Sequence, residues 1–478
     1  MLFNSLEFLI FFPIVLFLYF ILSQKFRWIL LLIASYYFYM SWKPEYAILM
    51  LIATVISYYC AIKISTSKTQ KLKKIYLWIG IISTLSILFT FKYFNFFNQA
   101  ILDIFTYFSL NFNPIVLNIL LPVGISFYTF QSISYLLDVY WKKLEPEKHF
   151  GLYALYISFF PQLVAGPIER ATHLLPQFRK TYKFDFKDFI YGIEIMMFGF
   201  FMKLVIADRL SILVDQVYNN IHNYTGLPLI IATYFFAYQI FCDFAAYSLI
   251  AIGTAKMMGF DLMENFKRPY FSKSISEFWR RWHISLSTWF KDYLYIPLGG
   301  SRVKVSRIYF NLMVIFVVSG IWHGANWTFI IWGFLHAIYM IVAILISKPL
   351  EVFEKKFNLY KYDKIYTIFK ILVVFHIVLF GWIFFRANNI VDAFYIISNL
   401  FDIHLVFTNV QLGMGWIELC FSIFLIFLLE TIHYIQEKGI FKNYSENILL
   451  RIMIINLLLF SILLFGVFSK AQFLYFQF

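Results

Sequence analysis

Charge is scarce in this chain. Of its 478 residues, 14% are charged, against about 25% in a soluble domain. Hydrophobic residues make up 61% and aromatic residues 22%. A water-soluble fold of this size cannot hide so much apolar surface, whereas a bilayer accepts it. The apolar runs also lack the polar face of soluble helices and the period-two alternation of transmembrane barrel strands. Cysteine is nearly absent. Cys60, Cys242 and Cys420 lie in or beside apolar runs, with no CxxC and no metal-ligand spacing, which leaves no case for a disulfide framework or a metal site. There is no internal repeat, flexible linker or low-complexity tail, so residues 1–478 read as a single membrane domain. The first apolar run carries Glu7 where a signal peptide has a basic region, and it has no small-residue cleavage site. It reads as a span.

What is present is a series of long apolar runs, which predict an all-α, polytopic membrane protein of about twelve transmembrane or re-entrant helices. Spans are expected near 5–23, 28–42, 46–62, 75–92, 115–137, 189–206, 228–252, 308–322, 325–347, 366–385, 415–435 and 448–467. The run at 150–168 is broken by Pro161, Gly166 and Pro167 and reads as re-entrant or interfacial. Segment 63–74 carries five lysines, and 256–307 carries ten Lys or Arg against four Asp or Glu. Segments 142–187 and 348–364 are also basic, while the loops between are poor in cations. Cytoplasmic loops concentrate Lys and Arg, so twelve spans put both termini on the outer, periplasmic-type face. The net charge of +14 then belongs mostly beside anionic membrane lipids, and no nucleic-acid partner is needed.

Two segments carry chemistry. The first, FWRRWHISLSTWFKDYLYIPLGG, runs from Phe278 to Gly300 within the basic 256–307 stretch. Trp279, Trp282 and Trp289 among Arg280, Arg281, Lys291 and Asp292 suit a helix in the headgroup layer, with indoles at the interface and charges toward water. Ser274 and Glu277 form a capping-box start. His283 lies in the middle. The three cations are candidates for holding donor phosphates, and topology alone accounts for them equally well. The second segment, SGIWHGANWTFIIWGFLHA, runs from Ser319 to Ala337. A helix of fifteen residues from about Ile308 rises about 22 Å, short of the roughly 30 Å hydrocarbon core, which places His323 inside the membrane. Gly320 and Gly324 flank it and allow a break or close packing. An ionisable residue at that depth is a functional candidate, and histidine suits proton transfer near neutral pH. Asn326 is a candidate for positioning. His336 and His376 are lone histidines in apolar spans and read as structural.

These segments resemble the signature of the membrane-bound O-acyltransferase superfamily, in its bacterial polysaccharide O-acetylation branch. ISFYTFQSISYLLDVYW at 125–141, FFPQLVAGPIER at 159–170, QIFCDFAAYSLIAIG at 239–253 and GWIFFRA at 381–387 agree with it. One departure is Leu249 after Ser248, where the family commonly has an acidic residue. Asp243 remains as the nearby acid. The resemblance implies a ring of helices with central funnels, and acyl transfer from a cytoplasmic thioester, acetyl-coenzyme A, toward an extracytoplasmic hydroxyl. It implies that His323 is the near-invariant histidine of the family and His283 its second motif histidine. It also implies a periplasmic partner, an SGNH esterase-like acetyltransferase, acting on peptidoglycan by preference. Alginate or another exopolysaccharide is the alternative polymer, and D-alanyl transfer to teichoic acid the alternative chemistry. A transporter is disfavoured because paired intramembrane charges are not evident.

The tail FLYFQF, 473–478, follows the final run and is expected on the periplasmic face. By composition it is an aromatic anchor. Its FxYxxF pattern resembles the acyl-transfer motif of these export systems, which implies that Tyr475 carries the acyl group between donor and partner.

Overall fold

A computed structural model describes residues 1–111, 113–117, 119–402, 412–439, 447–468 and 473–474. Nineteen α-helices and short 3-10 and π segments make up the regular structure of those residues. Helices occupy all twelve expected runs, and nine described spans are long and apolar enough to cross a membrane. The chain is a multi-pass membrane protein. The chain divides into two compact units, residues 1–196 with 247–263, and residues 197–246 with 264–478.

The first unit contains α1 (Leu6–Ile21), α2 (Gln24–Met40), α3 (Glu45–Thr66), α4 (Gln70–Leu88), α5 (Phe94–Tyr107), α6 (Ile125–Tyr140), α7 (Phe150–Ser158) and α8 (Ala171–Phe178). Helices α3, α4 and α6 pack together, and Gly80 on α4 lets Leu136 of α6 approach. Small polar residues in these apolar helices are satisfied locally. Ser35, Thr54, Ser57 and Thr84 each donate to the carbonyl four residues earlier, at 2.7 to 2.9 Å. One expected span is shorter than its apolar run. Residues 115–117 and 119–124 are not helical, and α6 begins only at Ile125, after Pro122 and a left-handed Gly124 (φ 77°). The Asn95 side chain holds this stretch by bonding both the N–H and the C=O of Leu117 (2.9 and 2.8 Å). In the broken run after α7, helix gives way to turns at Phe159, as Pro161 requires.

Two helices run across the division, α9 (Phe186–Phe200) and α11 (Leu227–Met257). The second unit holds α10 (Asp208–Tyr218), α12 (Ile275–Arg281), α13 (Ile284–Phe290), α14 (Val305–His323), α15 (Trp327–Lys356), α16 (Asp363–Arg386), α17 (Ile390–Asn399), α18 (Trp416–Lys438) and α19 (Ile448–Phe465). Helices α14 and α15 form an antiparallel hairpin. Its two backbones touch because Gly320 and Gly333 face each other. A methyl group on Gly320 would meet the Phe329 carbonyl, and one on Gly333 would meet that of Phe316. Close approach at small residues is how helices pack where lipid supplies no hydrophobic drive.

Candidate active site

The hairpin positions His323. It is the last residue of α14, and Gly324 ends the helix in an extended conformation. Asn326 then caps α15: its Oδ1 accepts from the Thr328 N–H (3.0 Å) and its Nδ2 donates to the Asn388 carbonyl (2.9 Å). Both ends of Asn326 thus hold the turn. His323 is 5% exposed and walled by three rings. Trp322, Trp332 and Phe385 lie at centroid distances of 4.8, 4.9 and 5.2 Å, each edge-on. Helix α14 is longer than expected. Helix α14 starts at Val305 and has nineteen residues, a rise of about 28 Å, close to a full hydrocarbon core. Burial among rings, not a short helix, is what encloses His323.

The first motif is not one interfacial helix. It breaks at His283, whose backbone is left-handed (φ 43°, ψ 56°), between α12 and α13. Trp282 is 1% exposed and so is His283, so this indole is a core residue and not an interfacial one. Asn265 explains the break. Its carbonyl accepts from the Ile284 N–H (2.9 Å). Its Oδ1 accepts from the Ser285 N–H (3.3 Å) and hydroxyl (2.9 Å), and lies 3.0 Å from His283 Nδ1. A backbone N–H can only donate, so the atom it meets must be the amide oxygen. His283 therefore carries its hydrogen on Nδ1, and Nε2 presents a lone pair. Burial holds this imidazole well below its usual pKa, so it stays neutral.

The two histidines share a neighbour. Trp322 stands 4.8 Å from the His323 ring and 6.0 Å from the His283 ring. Phe244 of α11 packs edge-on against His283 at 4.5 Å. Beside Phe244, Asp243 belongs to a buried charge cluster that the sequence reading did not anticipate. Lys203 Nζ lies 2.6 Å from Asp243 Oδ1 and 2.8 Å from Asp208 Oδ1, and all three side chains are 4% exposed or less. Paired intramembrane charges are therefore present, contrary to expectation. Lys203 inside the apolar run 189–206 was the available signal, since a cation there demands a partner.

The cations of the first motif are dispersed. Arg280 and Lys291 are exposed. Arg281 is engaged by Glu277 (2.8 Å) and Glu437 (3.2 Å). His376 bonds Tyr234 Oη (2.6 Å) and the Leu372 carbonyl (2.7 Å), in keeping with a structural role. His336 is buried against Trp279 and Trp332. Among the described residues, no cluster of His, Cys, Asp or Glu could hold a metal ion. Tyr475 lies outside the described residues; the two before it, Phe473 and Leu474, lie within them and are buried.

The sequence model of the membrane-bound O-acyltransferase family matches residues 16–386, which include both histidine motifs. This chain belongs to that family. It is an O-acyltransferase. It is 39% identical to a probable alginate O-acetylase, AlgI, of Pseudomonas aeruginosa, over 84% of this chain and 75% of that protein. It is 33% identical to the peptidoglycan O-acetyltransferase of Helicobacter pylori, over 82% and 74%. It is 30% identical to the teichoic acid D-alanyltransferase of Bacillus subtilis, over 57% and 70%.

Proposed function

We propose that this acyltransferase moves acetyl groups from acetyl-coenzyme A, on the cytoplasmic side, across the inner membrane for O-acetylation of an exported polysaccharide. The observation that carries this reading is the convergence of His323 and His283 on Trp322, in a buried wall of rings. His323 is the general base. It takes the phenolic proton of Tyr475, and the phenolate oxygen attacks the thioester carbonyl. The C–S bond breaks, coenzyme A leaves as the thiolate, and the proton held by His323 neutralises it. The aryl ester then passes its acetyl to a hydroxyl of a periplasmic SGNH-type partner, which returns a proton to the phenol. Leaving groups run from a thiol of pKa about 8.5 through a phenol of about 10 to weaker sugar hydroxyls, so the sequence needs no separate energy source. A site largely closed to water protects both esters from hydrolysis. Neutral His283, with Nε2 as an acceptor, serves as a donor-side positioning group. Arg280 and Lys291, exposed, remain available for donor phosphates, whereas Arg281 already has its carboxylates.

Peptidoglycan is the polymer we assign, and periplasmic termini follow from the loop charges. The higher identity to the alginate protein favours an alginate-type exopolysaccharide as the second reading. His323→Ala tests the mechanism: it should abolish acetylation of the exported polymer while the protein still inserts at normal levels. Wild-type acetylation by that variant would refute the assignment. Locating the acetyl groups lost on deletion, on muramic acid or on a secreted polysaccharide, decides between the two polymers.

A further inference from the structure

The cluster around Lys203 leads to the chain's tail. Residues Phe201–Ala207 form a π-helical turn between α9 and α10, a local distortion often found at functional sites. That turn places Lys203 between Asp208 and Asp243. One oxygen of Asp243 is spent on Lys203. The other, Oδ2, accepts the backbone N–H of Leu474 at 2.7 Å, and the Phe473 ring lies 4.3 Å from Lys203 Nζ. Further back, the Leu204 carbonyl accepts the Val467 N–H (2.9 Å) and Arg209 donates to the Phe465 carbonyl (2.7 Å). The same turn therefore receives the chain as it leaves α19 and again at residues 473–474. A buried carboxylate needs partners for both oxygens, and here the tail supplies one of them.

We propose that Lys203, Asp208 and Asp243 form a charged anchor that docks the C-terminal segment and positions Tyr475 for acyl transfer. This rests on the relay reading of Tyr475. The geometry gives the anchor its purpose. Asp243 is adjacent in sequence to Phe244, which touches His283; His283 faces Trp322, and Trp322 faces His323. Leu474, the residue to which Tyr475 is joined, is thus bonded to Asp243, one residue from the Phe244 that begins that line of contacts. Lys203 neutralises Asp243 and holds its carboxylate in one orientation, and Asp208 holds Lys203. All three are positioning residues.

The test separates the anchor from the relay. Leu474→Pro removes the backbone N–H that Asp243 Oδ2 receives, whereas Leu474→Ala keeps that N–H while losing the same buried side chain, so the pair isolates the hydrogen bond. With an acetyl thioester as donor, Leu474→Pro should lower kcat at least tenfold with donor KM unchanged, and Leu474→Ala should stay within about twofold. Hydrogen exchange of the full-length protein in detergent reads the anchor without catalysis. The Leu474 amide should exchange at least a hundredfold more slowly than in an unstructured peptide, and Asp243→Ala should remove that protection. Should Asp243→Ala fail to insert, Leu474→Pro still tests the anchor through kcat. An unprotected Leu474 amide in the wild-type protein, or an unchanged kcat in Leu474→Pro, overturns the proposal. Tyr475→Phe judges the relay by itself: normal transfer in that variant ends the relay reading and leaves the anchor to be decided by exchange alone.

Discussion

His323 and His283 are both buried and both touch Trp322, yet they are held by different means. His323 sits at the end of a helix whose position is set by backbone packing at Gly320 and Gly333. His283 sits at a left-handed break whose orientation is set by hydrogen bonds to Asn265. Backbone packing at those glycines fixes where the His323 ring sits. A hydrogen bond to an amide oxygen fixes the tautomer as well. A fixed tautomer suits a group that keeps its protonation state during reaction.

Removing each support should expose this difference. Loss of the His323 ring by alanine substitution has the largest expected effect, about 10²–10⁴-fold in turnover, the usual range for a general base. Next comes Gly320→Ala. The added methyl meets the Phe329 carbonyl and forces the hairpin apart, at a cost of about 1–3 kcal/mol, read as a lower thermal midpoint with turnover reduced at least tenfold. A variant with wild-type midpoint and turnover would show that the hairpin does not position His323. Asn265→Ala should cost about 1–3 kcal/mol by leaving buried donors without an acceptor, while donor binding weakens more than turnover falls. Unchanged donor affinity would remove His283 from the donor side.

The smallest effect is in pH dependence. His283 has a folded pKa well below its unfolded value of about 6.5. Below that value the unfolded chain binds a proton that the folded chain refuses, so stability falls as pH drops from about 7 toward 5 and is flat above. His173 works in the opposite sense, because its bond to Glu169 raises its pKa. The measurement is therefore a difference: His283→Gln should flatten the acid fall of the thermal midpoint relative to wild type. Parallel curves would mean that His283 already carries a proton.

Much of this was legible before any coordinates. Long apolar runs without alternation gave helices in every expected place, and the glycines flanking His323 gave the helix break and the close packing there. What escaped were features that depend on distant partners. Asn265 lies eighteen residues before His283 in a loop with no periodicity, so nothing local marks it as the residue that breaks the motif. Trp282 reads as interfacial from its charged neighbours but is buried against Phe266 and Trp382. The run 115–137 is apolar enough to span, yet Pro122 and Gly124 delay the start of α6 to Ile125. Lys203 was visible as a charge in an apolar run; its partners, five and forty residues away, were not.

In the proposed relay, Tyr475 accepts acetyl only when His323 takes its proton. The direct measurement is mass spectrometry of the C-terminal peptide after incubation with an acetyl thioester donor, in wild type and in His323→Ala. An acetyl group on Tyr475 in the wild type, absent from His323→Ala, is the expected result. Equal acetylation of Tyr475 in both would contradict it.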